Sequence, residues 1–211
     1  MEKTVDWRAF EKQIQGLSVL DFNYDDKVYH AEKDKRGWHI DRYHATLAIE
    51  RIGPVVSGGA YESCKQVIEL YQFADPKLIK AYFDFERPLP GRNMLMLATF
   101  AGFTFTFGVR VTTVIDEVRK NAQGQSVQVW GYSYRTLQDH FEVGEIRFEI
   151  GKNFETGEIT FDIDAYSKPD RIPNLFYRIG FKLLGRSLQK HFANSSIKRL
   201  QDVATKATHA I

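Results

Sequence analysis

Between Tyr132 and Ser167 apolar and polar residues alternate in short runs separated by turn residues. A period of two places alternate side chains on opposite faces of a strand, so this stretch restricts the chain to hairpin-linked sheet. Ile146, Phe148 and Ile150 point one way, and Glu145, Arg147 and Glu149 the other. After the connection at Lys152-Asn153-Phe154-Glu155-Thr156-Gly157, Ile159, Phe161, Ile163 and Ala165 alternate with Thr160, Asp162, Asp164 and Tyr166. Upstream, Val127, Val129 and Gly131 oppose Gln128, Trp130, Tyr132 and Tyr134. Two further strands are predicted over 93–103 and 105–117, with Phe105, Phe107, Val109, Val111 and Thr113 sharing a face. Consecutive strands at this spacing predict an antiparallel meander.

The other elements follow from local signals. Trp38–Ile49 alternates and predicts a first strand. Gly53-Pro54 and Ser57-Gly58-Gly59 break the chain, and Tyr61, Cys64, Ile68 and Tyr71 then recur at helical spacing. Asp75 and Pro76 suit a helix start, which predicts a second short helix over 76–85. From Pro169 to Ala207 apolar residues recur at three and four, the pattern of a long amphipathic helix, with Asn194-Ser195-Ser196 as a candidate break. Residues 4–16 predict a peripheral helix, and the many charges of 21–37 predict a solvated loop. The domain expectation is an N-terminal appendage over 1–36 and one domain over 37–211.

Composition narrows the function classes. Net charge is +2 from 29 basic and 27 acidic residues, too balanced to predict a nucleic-acid binder. The single cysteine, Cys64, excludes an internal disulfide and a multi-cysteine metal site. It lies on an apolar helical face and reads as a small buried hydrophobe. One cysteine, no apolar core at the N-terminus and no run of ~18 apolar residues predict a cytoplasmic protein without a spanning helix. Gly53-x-x-x-x-Gly58-Gly59 has the first spacing of a phosphate loop but lacks the Lys and Ser/Thr that must follow. No nucleophile elbow or dinucleotide fingerprint is present.

Three groups carry candidate chemistry. His140, Glu142 and Glu145 lie within six residues and suit an acid/base pair or part of a metal site. The plainer reading has these acids accepting backbone N–H bonds in a loop. Trp130, Tyr132 and Tyr134 share one strand face and suit the wall of a ligand cavity, or ordinary core packing. Met94, Met96, Phe105 and Phe107 join them if a cavity exists. Glu145, Arg147 and Glu149 read as a solvated outer face without the apolar surroundings that would raise a carboxyl pKa, and Arg147 is placed to pair across the hairpin. The last helix carries Arg171, Arg178, Lys182, Arg186, Lys190, Lys198 and Arg199. It suits either an anionic membrane surface, with Phe176, Phe181 and Leu184 entering it, or a solvated face of a packed helix.

The order of strand, helices, antiparallel strands and long final helix resembles the α+β helix-grip fold of START domains and birch-pollen-allergen-like proteins. Tyr134-Arg135-Thr136-Leu137-Gln138-Asp139-His140-Phe141-Glu142-Val143-Gly144-Glu145-Ile146-Arg147-Phe148 is similar to the signature of domain of unknown function nineteen-ninety, within that superfamily. Ala165-Tyr166-Ser167-Lys168-Pro169 resembles that family's junction before the last helix. Arg135 stands where the family usually has glycine, and Gln138 and Phe141 where prolines are common. The likeness runs from about Gly37 to Ala204. It implies a curved sheet wrapped on a long helix, with an apolar cavity between them for a lipid or other hydrophobic small molecule. No cofactor is expected. Catalysis on a hydrophobic substrate, with His140 or Glu145 at the cavity mouth, is the alternative expectation.

Overall fold

A computed structural model describes residues 6–31, 37–100, 102–140, 142–169 and 175–208; within these, the side chains of 28, 100, 103, 169 and 175–187 lie outside the description. Seven strands form one antiparallel sheet: β1 (His39–Ile49), β2 (Ile79–Tyr82), β3 (Asn93–Phe100), β4 (Phe103–Lys120), β5 (Ser126–Thr136), β6 (Glu142–Asn153) and β7 (Glu158–Pro169). Their order is β1-β7-β6-β5-β4-β3-β2, so β2 to β7 form a meander and β1 closes against β7. Helix α3 (Ala60–Glu69) and the last helix α4 (Leu175–Thr208) pack together on the sheet's concave side. Short helices α1 (Glu11–Gly16) and α2 (Asp26–Ala31) precede β1. This is the expected α+β helix-grip arrangement.

Alternation decides what enters the core. Ile146, Phe148 and Ile150 of β6 and Ile159, Phe161 and Ile163 of β7 face the helices. From α3, Tyr61, Cys64 and Ile68 meet them, and from α4, Ala193, Leu200 and Ala204. The α3 set is spaced three and four and the α4 set seven and four, so each helix buries one stripe. The Cys64 thiol is fully buried, donates toward the Leu200 carbonyl at 3.5 Å, and has its pKa pushed up to about 12 by burial. Helix α4 runs unbroken through Asn194-Ser195-Ser196, with the Ser195 hydroxyl donating to the Phe192 carbonyl at 3.0 Å.

Three expectations fail for physical reasons. Residues 76–85 are not a helix: Asp75 caps a single turn, and Ile79–Tyr82 then becomes the edge strand β2, pairing with Leu95–Ala98. The capping signal was real, but sheet pairing outweighs propensity after one turn. Thr113 does not share the inner face, because a bulge between Val111 and Thr113 shifts the register and brings Val114 inward opposite Tyr132. Residues 21–37 are not simply a solvated loop, since Phe22, Tyr24 and Tyr29 pack on the sheet's convex face.

A buried pair joins sheet to helix at the end away from the β5–β6 loop. The fully buried Lys152 ammonium donates to Glu50 Oε2 at 2.6 Å and to the Arg51 carbonyl at 3.0 Å. Glu50 Oε1 accepts the Tyr61 N–H at 3.0 Å, satisfying a donor in the first turn of α3. At the other end of α3, Tyr71 adopts φ 56 and gives its N–H to Ile68, while Gln72 closes back to Val67. Glycine usually holds such a helix stop. A tyrosine holds it here because its ring packs on Phe73 at 4.9 Å and reaches Tyr134.

Candidate functional site

The candidate residues gather where the end of β5 and the start of β6 flank His140, beside the helices' side of the sheet. Trp130, Tyr132 and Tyr134 project from β5 onto that face. Trp130 and Tyr132 are 4% and 1% exposed; the Tyr132 hydroxyl donates to the Ile68 carbonyl at 3.2 Å, and the Lys65 ammonium lies 5.2 Å from the Trp130 ring centre. Met94 and Met96 are fully buried opposite Val109 and Phe107. Tyr134, Phe105 and Phe107 are only half-buried. The Tyr134 hydroxyl lies 3.0 Å from that of Tyr71, so each phenol partners the other. The candidate lining residues therefore divide: four are closed into the core, and three are half-buried.

His140 turns to the same side. Its ring is buried and meets Phe107 edge-on at 4.5 Å, and Nδ1 accepts the Glu142 N–H at 2.9 Å. That bond fixes Nδ1 as the acceptor and leaves the proton on Nε2. Burial pushes the imidazole pKa from 6.5 down to about 3, so the ring is neutral at pH 7. Glu142 opens β6 in the same facing as Ile146. Its pKa is pushed from 4.5 up to about 7, first by burial and then by the Asp41 carboxylate of β1. A carboxyl in that range exchanges protons at neutral pH.

Glu145 lies elsewhere. Three residues on from Glu142 it falls on the convex face, paired in register with Arg135 and Tyr166. Among the described residues no three His, Cys, Asp or Glu side chains converge as metal ligands. The convex acids are also less solvated than alternation alone predicts. Glu149 is 5% exposed, bound by Arg119 at 2.6 Å and Arg147 at 3.2 Å. Arg147 does pair across the hairpin, with Asp164 at 2.7 Å. Glu145 has its pKa raised by burial, opposed by the Ser133 hydroxyl and Arg135. The apolar surroundings come from the N-terminal segment: Tyr29 stacks on Tyr166 at 3.7 Å, and the Tyr24 hydroxyl donates to that of Tyr166 at 3.0 Å.

A family model described as a domain of unknown function (DUF1990) matches residues 23–199. The chain belongs to that family. The DUF1990 match begins fourteen residues before Gly37, taking in part of the segment set apart as an appendage. No curated protein matches the chain. Among solved structures, TTHA0849 from Thermus thermophilus is similar at 11% identity and a TM-score of 0.48, covering 81% of this chain and 99% of its own. A norcoclaurine synthase point mutant from Thalictrum, in complex with a transition-state analogue, aligns at 7% identity and TM-score 0.49, over 80% and 95%. A START superfamily protein from Mycobacterium smegmatis aligns at 18% identity and TM-score 0.42, over 78% and 99%.

Sequence reasoning missed Asp41 and Tyr71. Asp41 had a visible signal, an acid in phase with Tyr43 and Leu47 on the inward face of β1. Tyr71 reads in the sequence only as one more apolar position of the helix. Of the basic residues on α4, Lys190 and Lys198 are exposed, and Arg199 donates to the Gln72 carbonyl at 3.2 Å. Arg171, Arg178, Lys182, Arg186, Phe176, Phe181 and Leu184 lie outside the described side chains. Among the described residues no helix is long and apolar enough to cross a membrane.

Proposed function

We propose that this protein binds a hydrophobic small molecule or lipid against the concave face, at the end bounded by Tyr134, Phe107, Phe105 and Ile146. The observation that carries this reading is the change in closure along one face. Trp130, Tyr132 and Phe148 are each less than 5% exposed, whereas Tyr134, Phe105, Phe107 and Ile146 on the same face are half-buried. Apolar side chains left partly open beside a closed core are what a concave ligand site presents. Glu142 and His140 supply a polar rim, so the ligand has an apolar body and a polar end. Native mass spectrometry of protein purified from cells, with extraction of bound lipid, tests this directly. Phe107→Ala is expected to weaken binding of a fluorescent fatty acid by about tenfold, roughly the value of an aromatic contact. No retained lipid and no fatty-acid binding by the wild-type protein would overturn the proposal.

The Glu142 environment favours a second reading, in which the bound molecule is a substrate and Glu142, beside neutral His140, moves a proton on it. Glu145, on the other face, has no part in that chemistry. Glu142→Gln then abolishes turnover while leaving ligand binding intact, and loss of both together removes this reading.

A further inference from the structure

We infer that residues 20–26 act as a latch for the loop that carries His140 and Glu142, so that contacts on the convex face control access to the concave one. The access half of this inference rests on the binding reading above. The latch half stands on the contacts of residues 20–26 themselves.

Residues 21–23 lie across the β5–β6 turn as a fragment of an added strand. The Gln138 N–H donates to the Asp21 carbonyl at 2.9 Å, and the Asp21 N–H returns to Gln138 Oε1 at 3.1 Å. Phe22 bridges to Leu137. Asn23 then ties both flanks of the loop together. Its N–H donates to the Thr136 carbonyl at 3.3 Å, its Oδ1 accepts the Thr136 hydroxyl at 2.6 Å, and its Nδ2 donates to the Glu142 carbonyl at 2.8 Å. One side chain thus spans the end of β5 and the start of β6, with His140 between them.

Two arginines hold the segment down. Arg135 lies 4.1 Å from the Phe22 ring centre and reaches Asp26 at 3.0 Å. Arg110 lies 5.5 Å from the same ring and donates to the Leu17 and Leu20 carbonyls at 2.8 and 3.0 Å. The chemistry is specific to these residues. Glycine at 135 reaches neither Phe22 nor Asp26, and proline at 138 has neither the N–H nor the side-chain oxygen that Asp21 engages. Two of the positions where the sequence departs from the motif, Arg135 and Gln138, therefore fasten the segment. His140 and Glu142 sit on backbone that the latch anchors, so releasing it frees the polar rim to move.

The test is hydrogen exchange by mass spectrometry on full-length wild type, the Asn23→Ala/Gln138→Ala double variant and Asn23→Asp. Asn23→Asp keeps the acceptor for the Thr136 hydroxyl and sets a carboxylate oxygen against the Glu142 carbonyl in place of the donor, so it serves if the double variant does not fold. Amides of 137–144 are expected to exchange about tenfold faster or more in each variant, with β3 and β4 unchanged. Dissociation of a fluorescent fatty acid is expected to quicken several-fold in the same variants. Unchanged exchange in 137–144 overturns the latch. Faster exchange with an unaltered dissociation rate overturns the control of access and leaves the latch. A wild-type protein that binds no fatty acid, with exchange altered as expected, counts against the binding reading and not against the latch.

Discussion

Replacing Lys152 with methionine isolates the ion pair that joins the sheet to α3. Methionine nearly matches the lysine stem in volume, so the loss is electrostatic and not a cavity. The Lys152 ammonium is fully buried and its hydrogen bonds go to Glu50 at 2.6 Å and the Arg51 carbonyl at 3.0 Å. Among the described residues, the substitution leaves the Glu50 carboxylate inside the protein with the Tyr61 N–H as its hydrogen-bond partner. Removing one partner of such a pair costs about 3–5 kcal/mol, because a buried charge is left uncompensated. For a chain of this size about 2–4 °C accompany each kcal/mol, so melting falls by roughly 6–20 °C. The double variant Glu50→Gln/Lys152→Met keeps an acceptor for Tyr61 and removes both charges. It is expected to recover most of the loss, since replacing a whole buried pair is often near neutral. Calorimetry on the four proteins of this cycle gives the coupling. A Lys152→Met protein that melts within about 2 °C of wild type refutes the electrostatic argument. A double variant no more stable than the single one refutes the orphaned charge as its cause.

Other consequences follow from single observations. Glu142, raised to about 7 from 4.5, stays protonated in the fold while the unfolded chain ionises, so its contribution to stability falls as pH rises between those values; His140, lowered to about 3 from 6.5, makes stability fall as pH drops through that window. The two oppose each other between 4.5 and 6.5, so urea titrations across pH should show Glu142→Gln unmasking a rise in stability with pH and His140→Phe unmasking a fall, each of about 1–3 kcal/mol. Gly108→Ala puts a methyl group 2.5 Å from Leu17 on the convex face, and chemical denaturation should register a loss of about 1–3 kcal/mol. Tyr134→Phe strands the buried Tyr71 hydroxyl and is expected to cost about 1–3 kcal/mol, Tyr71→Phe strands the half-buried Tyr134 hydroxyl and costs less, and the double variant costs less than the sum.

Period-two alternation makes most of the sheet legible in the sequence. It places Ile146, Phe148 and Ile150 in the core and sets Trp130, Tyr132 and Tyr134 facing the helices. It fails at 76–85, where a one-turn cap imitates a helix start, and at Thr113, because a bulge changes the phase without leaving a compositional mark. The site is half-legible. His140 and Glu142 can be picked out as candidates by residue type. Only the strand phase, extended backward from Phe148, separates Glu142 from Glu145, and reading the strand as starting at Glu145 hides it.

The largest gap concerns the outer face of the sheet, and it has one cause. Sequence patterning reports which side of a strand is apolar, but not what else will cover the polar side. In the sequence Glu145 reads as part of a solvated outer face, Arg110 and Tyr166 only as positions opposite the apolar ones, and Arg135 as a loop residue. They are instead the receptor for Phe22, Tyr24, Asp26 and Tyr29. Long amphipathic side chains suit this role, since their stems and rings bury area while their heads bond backbone carbonyls. The charge-rich composition of 21–37 disguises the same fact from the other side, for its aromatics dock while Asp26 meets Arg135. A polar face that carries Arg135, and a charged segment that carries three aromatics, are complementary surfaces. The convex face is thereby a second organised layer, and the loop bearing His140 is held from both: His140 meets Phe107 on the inner side, and Gln138 bonds Asp21 on the outer.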